Sequence, residues 1–139
     1  HSALDNKHVL GKDTITVIPP VTFDDYAAGG AFNYLVRVGG HEVFVQSTAN
    51  FIENELTGIR PDIAIIATGL REEIHDYTCR LLHALGDPPV VYVTHFDNWR
   101  GPPVDEPPSE DMLKFIAEVR ACSPATRVVV PKHFVPMTN

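Results

Sequence analysis

The run Val90-Val91-Tyr92-Val93-Thr94-His95-Phe96-Asp97-Asn98-Trp99 changes character halfway along. Its first four residues are β-branched or aromatic, the composition of a buried strand. Thr94, His95, Asp97 and Asn98 then bring donors, acceptors and ionisable groups. In open α/β sheets, ligands collect where strands end. An imidazole followed two residues later by a carboxylate has the groups to bind a metal or move a proton. The same pattern also suits a strand-end histidine that hydrogen-bonds a loop. The stretch alone leaves both readings open.

A second run ends in a similar way. Gln46-Ser47-Thr48-Ala49-Asn50 closes a β-branched segment with small or polar residues. That is a candidate site edge. It is equally a cap, with Asn50 as the capping residue, for a short helical segment over 51–56. The seven histidines are His1, His8, His41, His75, His83, His95 and His133. No two form a short metal-binding motif, so a metal site would have to be assembled from distant positions. Asp24-Asp25 reads as a solvated loop. Cys79 and Cys122 lack zinc-ribbon spacing. Both fall in predicted helices or at their ends, which favours buried thiols. A disulfide stays open, and with it the redox compartment.

The elements that position these residues follow from the pattern. Residues 14–18 alternate polar and apolar side chains and read as a strand, stopped by Pro19-Pro20. Residues 34–38 and 42–46 flank Gly39-Gly40, whose freedom at positive φ suits a tight antiparallel hairpin. His41 beside that turn reads as exposed. Pro61 introduces a buried strand over 62–67. Residues 71–85 read as an amphipathic helix, with Ile74, Tyr77, Leu81, Leu82 and Leu85 on one face and Gly86 as its stop. Glu72 and Glu73 sit in its first turn, and His75 and His83 read as surface residues. The strand over 90–94 leads into a loop over 96–108, which carries Trp99, Arg100 and four prolines. Ser109 caps the next helix, whose buried stripe is Met112, Phe115, Ile116 and Val119. A last strand over 127–130 ends at Pro131.

The chain has 139 residues, 44% of them hydrophobic, enough for a packed core in one unit. Its formal charge of −7 argues against a nucleic-acid backbone or an anionic membrane surface as partner. No apolar run reaches transmembrane length and no signal-peptide pattern is present. Residues 62–130 read strand–helix–strand–helix–strand, so the expected class is α/β, or α+β once the hairpin is counted, with a mixed sheet. A doubly wound nucleotide-binding domain fails at its own motif. The first strand–helix turn, Thr68-Gly69-Leu70-Arg71, has no Gly-rich phosphate loop. No Gly-x-Ser-x-Gly nucleophile elbow occurs either.

Taken in order, these motifs resemble the C-terminal half of a metallo-β-lactamase-fold hydrolase. His1-Ser2 looks like a ligand histidine after a strand. The hairpin runs into Gln46-Ser47-Thr48-Ala49-Asn50-Phe51, where the family often has Gly-Asp-Thr or Gly-Ser-Ala-Asn-Phe. Arg60-Pro61-Asp62-Ile63-Ala64-Ile65-Ile66 matches the following strand. Val93-Thr94-His95-Phe96-Asp97-Asn98-Trp99 matches the last ligand motif, and Pro131-Lys132-His133-Phe134 closes the fold. The likeness covers nearly the whole chain. It departs in two places. The family's His-x-His-x-Asp-His motif, which belongs to an N-terminal half, is absent. Thr48, or Ser47, stands where the family has an aspartate bridging two metal ions.

The resemblance implies half of an αββα sandwich, whose other half is the missing partner. It implies a divalent metal, zinc first, as one or two ions, acting on a small-molecule substrate. The metal would lower the pKa of bound water to about 7, and the hydroxide would attack an ester, lactone, amide or phosphoester. By the same resemblance His1 and His95 are metal ligands, and Thr48 lies near the metal. Asp97 and Asn98 orient His95 or contact substrate, and His133 faces the pocket. Trp99 and Arg100 are pocket-wall candidates. Two other readings compete with this hydrolase. One is a family member with a degenerate metal site that serves as a binding or structural module. The other is a small α/β ligand-binding domain unrelated to metal.

Overall fold

A computed structural model of the chain describes residues 32–48, 51–97 and 108–137. The expected strand over 14–18, Asp24-Asp25, His1, Asn98, Trp99 and Arg100 lie outside the described residues. The described part is a five-stranded mixed sheet with two α-helices. The strands are β1 (Asn33–Val38), β2 (His41–Gln46), β3 (Ile63–Ala67), β4 (Val90–Thr94) and β5 (Arg127–Val129), and they lie side by side in chain order.

β1 and β2 form the antiparallel hairpin, with Val38 opposite His41 across the turn. Gly39 and Gly40 have φ of 58° and 82°, the pair of left-handed residues that a tight type I′ turn requires. β2 to β5 then run parallel. At the start of β3, the Asp62 amide donates to the Glu42 carbonyl at 2.9 Å, and the Glu42 amide donates to the Asp62 carboxylate at 2.8 Å. These two bonds set the register between the hairpin and the parallel part.

Each parallel step needs a crossover. Successive crossovers of one hand in a sheet that adds strands in chain order fall on one face. The helices α1 (Tyr77–Ala84) and α2 (Glu110–Cys122) accordingly pack against each other. Beneath them Phe44, Ala64, Ile66, Val91 and Val93 from the sheet meet Tyr77, Leu81, Leu82, Met112, Phe115 and Val119. This is the core.

Side chains alternate along a strand, so the other face carries the intervening residues. Register aligns them in rows. Tyr34, Val45, Ile65, Tyr92 and Val129 form one row across all five strands, and Val36, Val43, Ile63, Val90 and Arg127 form the next. Nine of these ten residues are hydrophobic. No described helix covers this face, and Tyr34, Val36 and Val38 on β1 are exposed.

The helix expected over 71–85 is shorter than its periodicity suggested. Arg71–Glu73 forms a 3-10 turn, and α1 starts only at Tyr77. Within that span Ile74 takes extended backbone, φ −116° and ψ 121°, and Asp76 left-handed backbone at φ 49°, so the helix is interrupted between Glu73 and Tyr77. The buried stripe is unaffected, because Ile74, Tyr77, Leu81, Leu82 and Leu85 all lie in the core. Gly86 stops the helix at φ 74°. The segment over 51–56 is likewise a 3-10 turn, Glu53–Leu56, and the residue at its cap position is Ile52, with no side-chain cap. Ser109 caps α2 as expected, its hydroxyl accepting from the Met112 amide at 3.1 Å.

Cys79 and Cys122 are bonded to each other, tying α1 to the end of α2 with a Cα–Cα distance of 5.2 Å. The reading as buried thiols therefore fails. Helical periodicity places each cysteine on a helix but says nothing of how the two helices face each other.

Candidate functional site at the strand ends

The parallel register fixes which residues leave the sheet at the same edge. Gln46 lies opposite Ile66, and Ala67 opposite Thr94. Thr48, Thr68 and His95 therefore follow the C-terminal ends of three adjacent strands. At about 4.8 Å per strand, the backbones of the two outer ones leave the sheet roughly 10 Å apart. β5 ends on the same edge, four residues before His133.

At the end of β2, the buried Gln46 side chain donates to the Thr48 carbonyl at 2.7 Å and so holds the backbone there. The Ser47 hydroxyl is bonded to the Phe32 carbonyl at 3.3 Å. Of the two hydroxyls, Ser47 is thus engaged with the backbone just before β1. Thr48 is half-buried.

At the end of β3, the Thr68 amide donates to the Thr94 carbonyl at 3.0 Å, extending the β3–β4 pairing by one bond. The Thr68 side chain is 1% exposed, and its hydroxyl has no hydrogen-bond partner among the described residues. Leaving such a group unsatisfied costs about 1–3 kcal/mol.

At the end of β4, His95 adopts φ 55°. Its side chain is exposed and has no hydrogen-bond or ion-pair partner among the described residues. No hydrogen bond or ion pair joins Asp97 to His95 among the described residues. The Asp97 carboxylate instead faces His133, 3.9 Å from its Nε2. That is an ion-pair distance and too long for a hydrogen bond. The His133 ring also lies 6.1 Å from the Phe96 ring, centroid to centroid. Phe96 is packed against the core. The segment after β5 is thereby held against the loop after β4.

Left-handed backbone at non-glycine residues recurs on this edge. Leu70, His95 and Phe134, at φ of 62°, 55° and 60°, follow β3, β4 and β5. Each such residue costs about 1–3 kcal/mol, and residues of this kind gather at binding and catalytic sites. Sequence reasoning missed this clustering. Leucine and phenylalanine carry no local signal for positive φ, and histidine only a weak one.

Among the described residues, no three His, Cys, Asp or Glu side chains gather closely enough to hold a metal ion. The edge offers single donors. His95 suits one ligand position of a shared site, and the three ligands of a catalytic zinc would need others from elsewhere.

A concavity of about 360 Å³ lies on the helix side, between α1 and α2. Arg71 lines it and is 3% exposed. Its guanidinium bonds Asp111 at 2.7 Å and Glu118 at 3.3 Å, and Thr78 donates to Glu118 at 2.5 Å. Burial works against the charge on Arg71, but its hydrogen bonds to these two carboxylates, with their negative charge, outweigh it and hold the pKa above its usual value. Beside it, burial pushes the Tyr77 hydroxyl well above the ordinary tyrosine value, with the Arg71 charge pulling slightly the other way. That hydroxyl donates to the Ala67 carbonyl at 2.9 Å, at the end of β3. These bonds join the helices to the sheet, and their groups are already paired with one another.

No family model, curated protein or solved structure matches the chain. No described helix is long and apolar enough to cross a membrane.

Proposed function

We propose that this chain supplies one side of the active site of a metal-dependent hydrolase with the metallo-β-lactamase fold. The observation that carries the reading is the exposed His95 imidazole at the C-terminal edge of the parallel strands, without a hydrogen-bond or ion-pair partner among the described residues. It stands where the family-like motif Thr94-His95-Phe96-Asp97-Asn98 sets a ligand, and Thr48 and the Asp97–His133 pair leave the sheet on that edge. The two hydrophobic rows on the sheet face that no described helix covers support the companion idea, that an N-terminal half of the same fold packs there as the second layer.

In this reading a divalent metal, zinc first, supplies Lewis-acid chemistry and lowers the pKa of a water molecule. The chain's own residues do the rest. His95 is one ligand and His1 a second. Thr48 offers a neutral hydroxyl where a carboxylate would bridge two ions, which favours one ion over two. His133, beside the Asp97 carboxylate, is placed to exchange a proton or to bind a small substrate carrying an ester, lactone, amide or phosphoester. Asn98 follows in the same loop as a substrate contact.

The test is a panel of ester, lactone, amide and phosphodiester substrates with added zinc or manganese. The chain alone should give no turnover, because it lacks a full ligand set. Co-expressed with an N-terminal half of this fold it should turn over with metal, and His95→Ala should abolish that activity. Metal-dependent turnover by the chain alone would overturn the half-site reading. Turnover unaffected by His95→Ala would overturn the ligand assignment.

One observation favours a second reading. A neutral Thr48, with no three-donor cluster among the described residues, also suits a metal-degenerate binding module. Metal analysis of the complex of the two halves separates the two.

A further inference from the structure

Gly69 lies directly against His95. A Cβ added to Gly69 would come within 2.9 Å of His95 Nδ1, 3.1 Å of Cε1 and 3.2 Å of the His95 carbonyl oxygen. The first is closer than a Cβ comes to any atom, and the other two, one of them to backbone, are tight enough that the neighbour would have to give by a few tenths of an ångström. Gly69 does not take positive φ, so conformation does not explain a glycine there. Space does. The left-handed turn at His95 places the imidazole against the 68–70 turn. That turn is itself anchored. The Thr68 amide is bonded to Thr94, and the buried Arg71 reaches the Thr68 carbonyl at 3.5 Å while its other donors hold α2.

We infer that Gly69 is a positioning residue, a seat without a side chain that fixes the direction of the His95 imidazole. The metal role of His95 rests on the function proposed above; the seat itself does not. An exposed histidine with no hydrogen-bond partner among the described residues would otherwise sample several rotamers. Contact with a backbone-only surface on the Nδ1–Cε1 side holds the ring without a hydrogen bond and leaves Nε2 available to a ligand or a proton. The second-sphere groups that orient ligand histidines usually do so by a hydrogen bond to the far nitrogen. Here a steric seat takes that place.

The experiment uses the 139-residue chain and the variants Gly69→Ala, His95→Ala and the double variant. In the native chain, NMR should show a nuclear Overhauser contact between the His95 ring and the Gly69 α-protons. Gly69→Ala should shift the His95 ring resonances while those of His41, His75 and His83 stay in place. It should also weaken zinc binding at His95 by roughly ten-fold or more. If Gly69→Ala lowers the melting temperature, the double variant should recover most of the loss, because the ring that clashes is gone. His95 resonances unchanged by Gly69→Ala, or a double variant as unstable as the single one, would overturn the seat. A native chain that shows the ring contact but does not bind zinc through His95 would leave the seat standing and count against the metal reading alone.

Discussion

Tyr77 shows how a single group ties the helix layer to the strand ends. Its hydroxyl is buried and donates to the Ala67 carbonyl, so only the protonated form fits. Its pKa is raised in the folded state, whereas the unfolded chain loses the proton near the ordinary value of about 10. The stabilisation is therefore complete below about pH 10 and falls as the pH rises above it. Urea unfolding between pH 8 and 11 should show a fall in stability that Tyr77→Phe flattens. At neutral pH that variant should lose about 0.5–1.5 kcal/mol, the worth of one hydrogen bond. Arg71→Ala should cost more, about 1–3 kcal/mol, since Asp111 and Glu118 lose their counter-charge but stay half-exposed to water. Chemical denaturation measures both. At this scale the sequence was partly readable. His95 stood out because an ionisable group followed a β-branched run. Gly69 did not, because a glycine between strand and helix is expected to serve the turn. Its close approach to an imidazole 26 residues away is a tertiary fact.

The elements themselves were largely readable. The hairpin, β3, β4, β5 and α2 fall within a residue or two of where alternation, turn glycines and the Ser109 cap put them. Alternation served the hairpin, whereas β3 and β4 were marked by apolar runs, whose residues are all buried or half-buried in the sheet. The failure at residues 71–76 has a clear cause. Apolar spacing from Ile74 to Leu85 records which side chains are buried, and a 3-10 turn followed by a helix buries the same ones. Two element-scale outcomes follow. Ser109→Ala should destabilise the chain by about 1 kcal/mol through loss of the α2 cap, measured by thermal or urea unfolding. Reducing Cys79–Cys122 releases a constraint across a sequence separation of 43 residues. In the chain-entropy model that is worth about 4 kcal/mol. A dithiol reductant should accordingly lower the melting temperature of the native chain and leave a Cys79→Ser/Cys122→Ser variant unmoved.

For the molecule as a whole, the sheet is covered by helices on one side only among the described residues. The opposite face carries two hydrophobic rows that reach the exposed strand β1. Exposed apolar patches of several hundred Å² drive association. The chain on its own should therefore self-associate with rising concentration, seen by light scattering after size exclusion. Val36→Lys with Val38→Lys should shift it towards monomer while the circular dichroism stays native. A native chain that remains monomeric at high concentration would count against a face built to be covered.

The central claim is that His95 is a metal ligand at the C-terminal edge of the parallel strands. The most direct measurement is a zinc titration of the chain followed by the imidazole resonances of its histidines. The account predicts that the first zinc to bind shifts the rings of His95 and His1 together, and that His41, His75 and His83 stay where they are. A His95 ring that does not move while zinc binds elsewhere, or seven histidines that all shift alike, would contradict it.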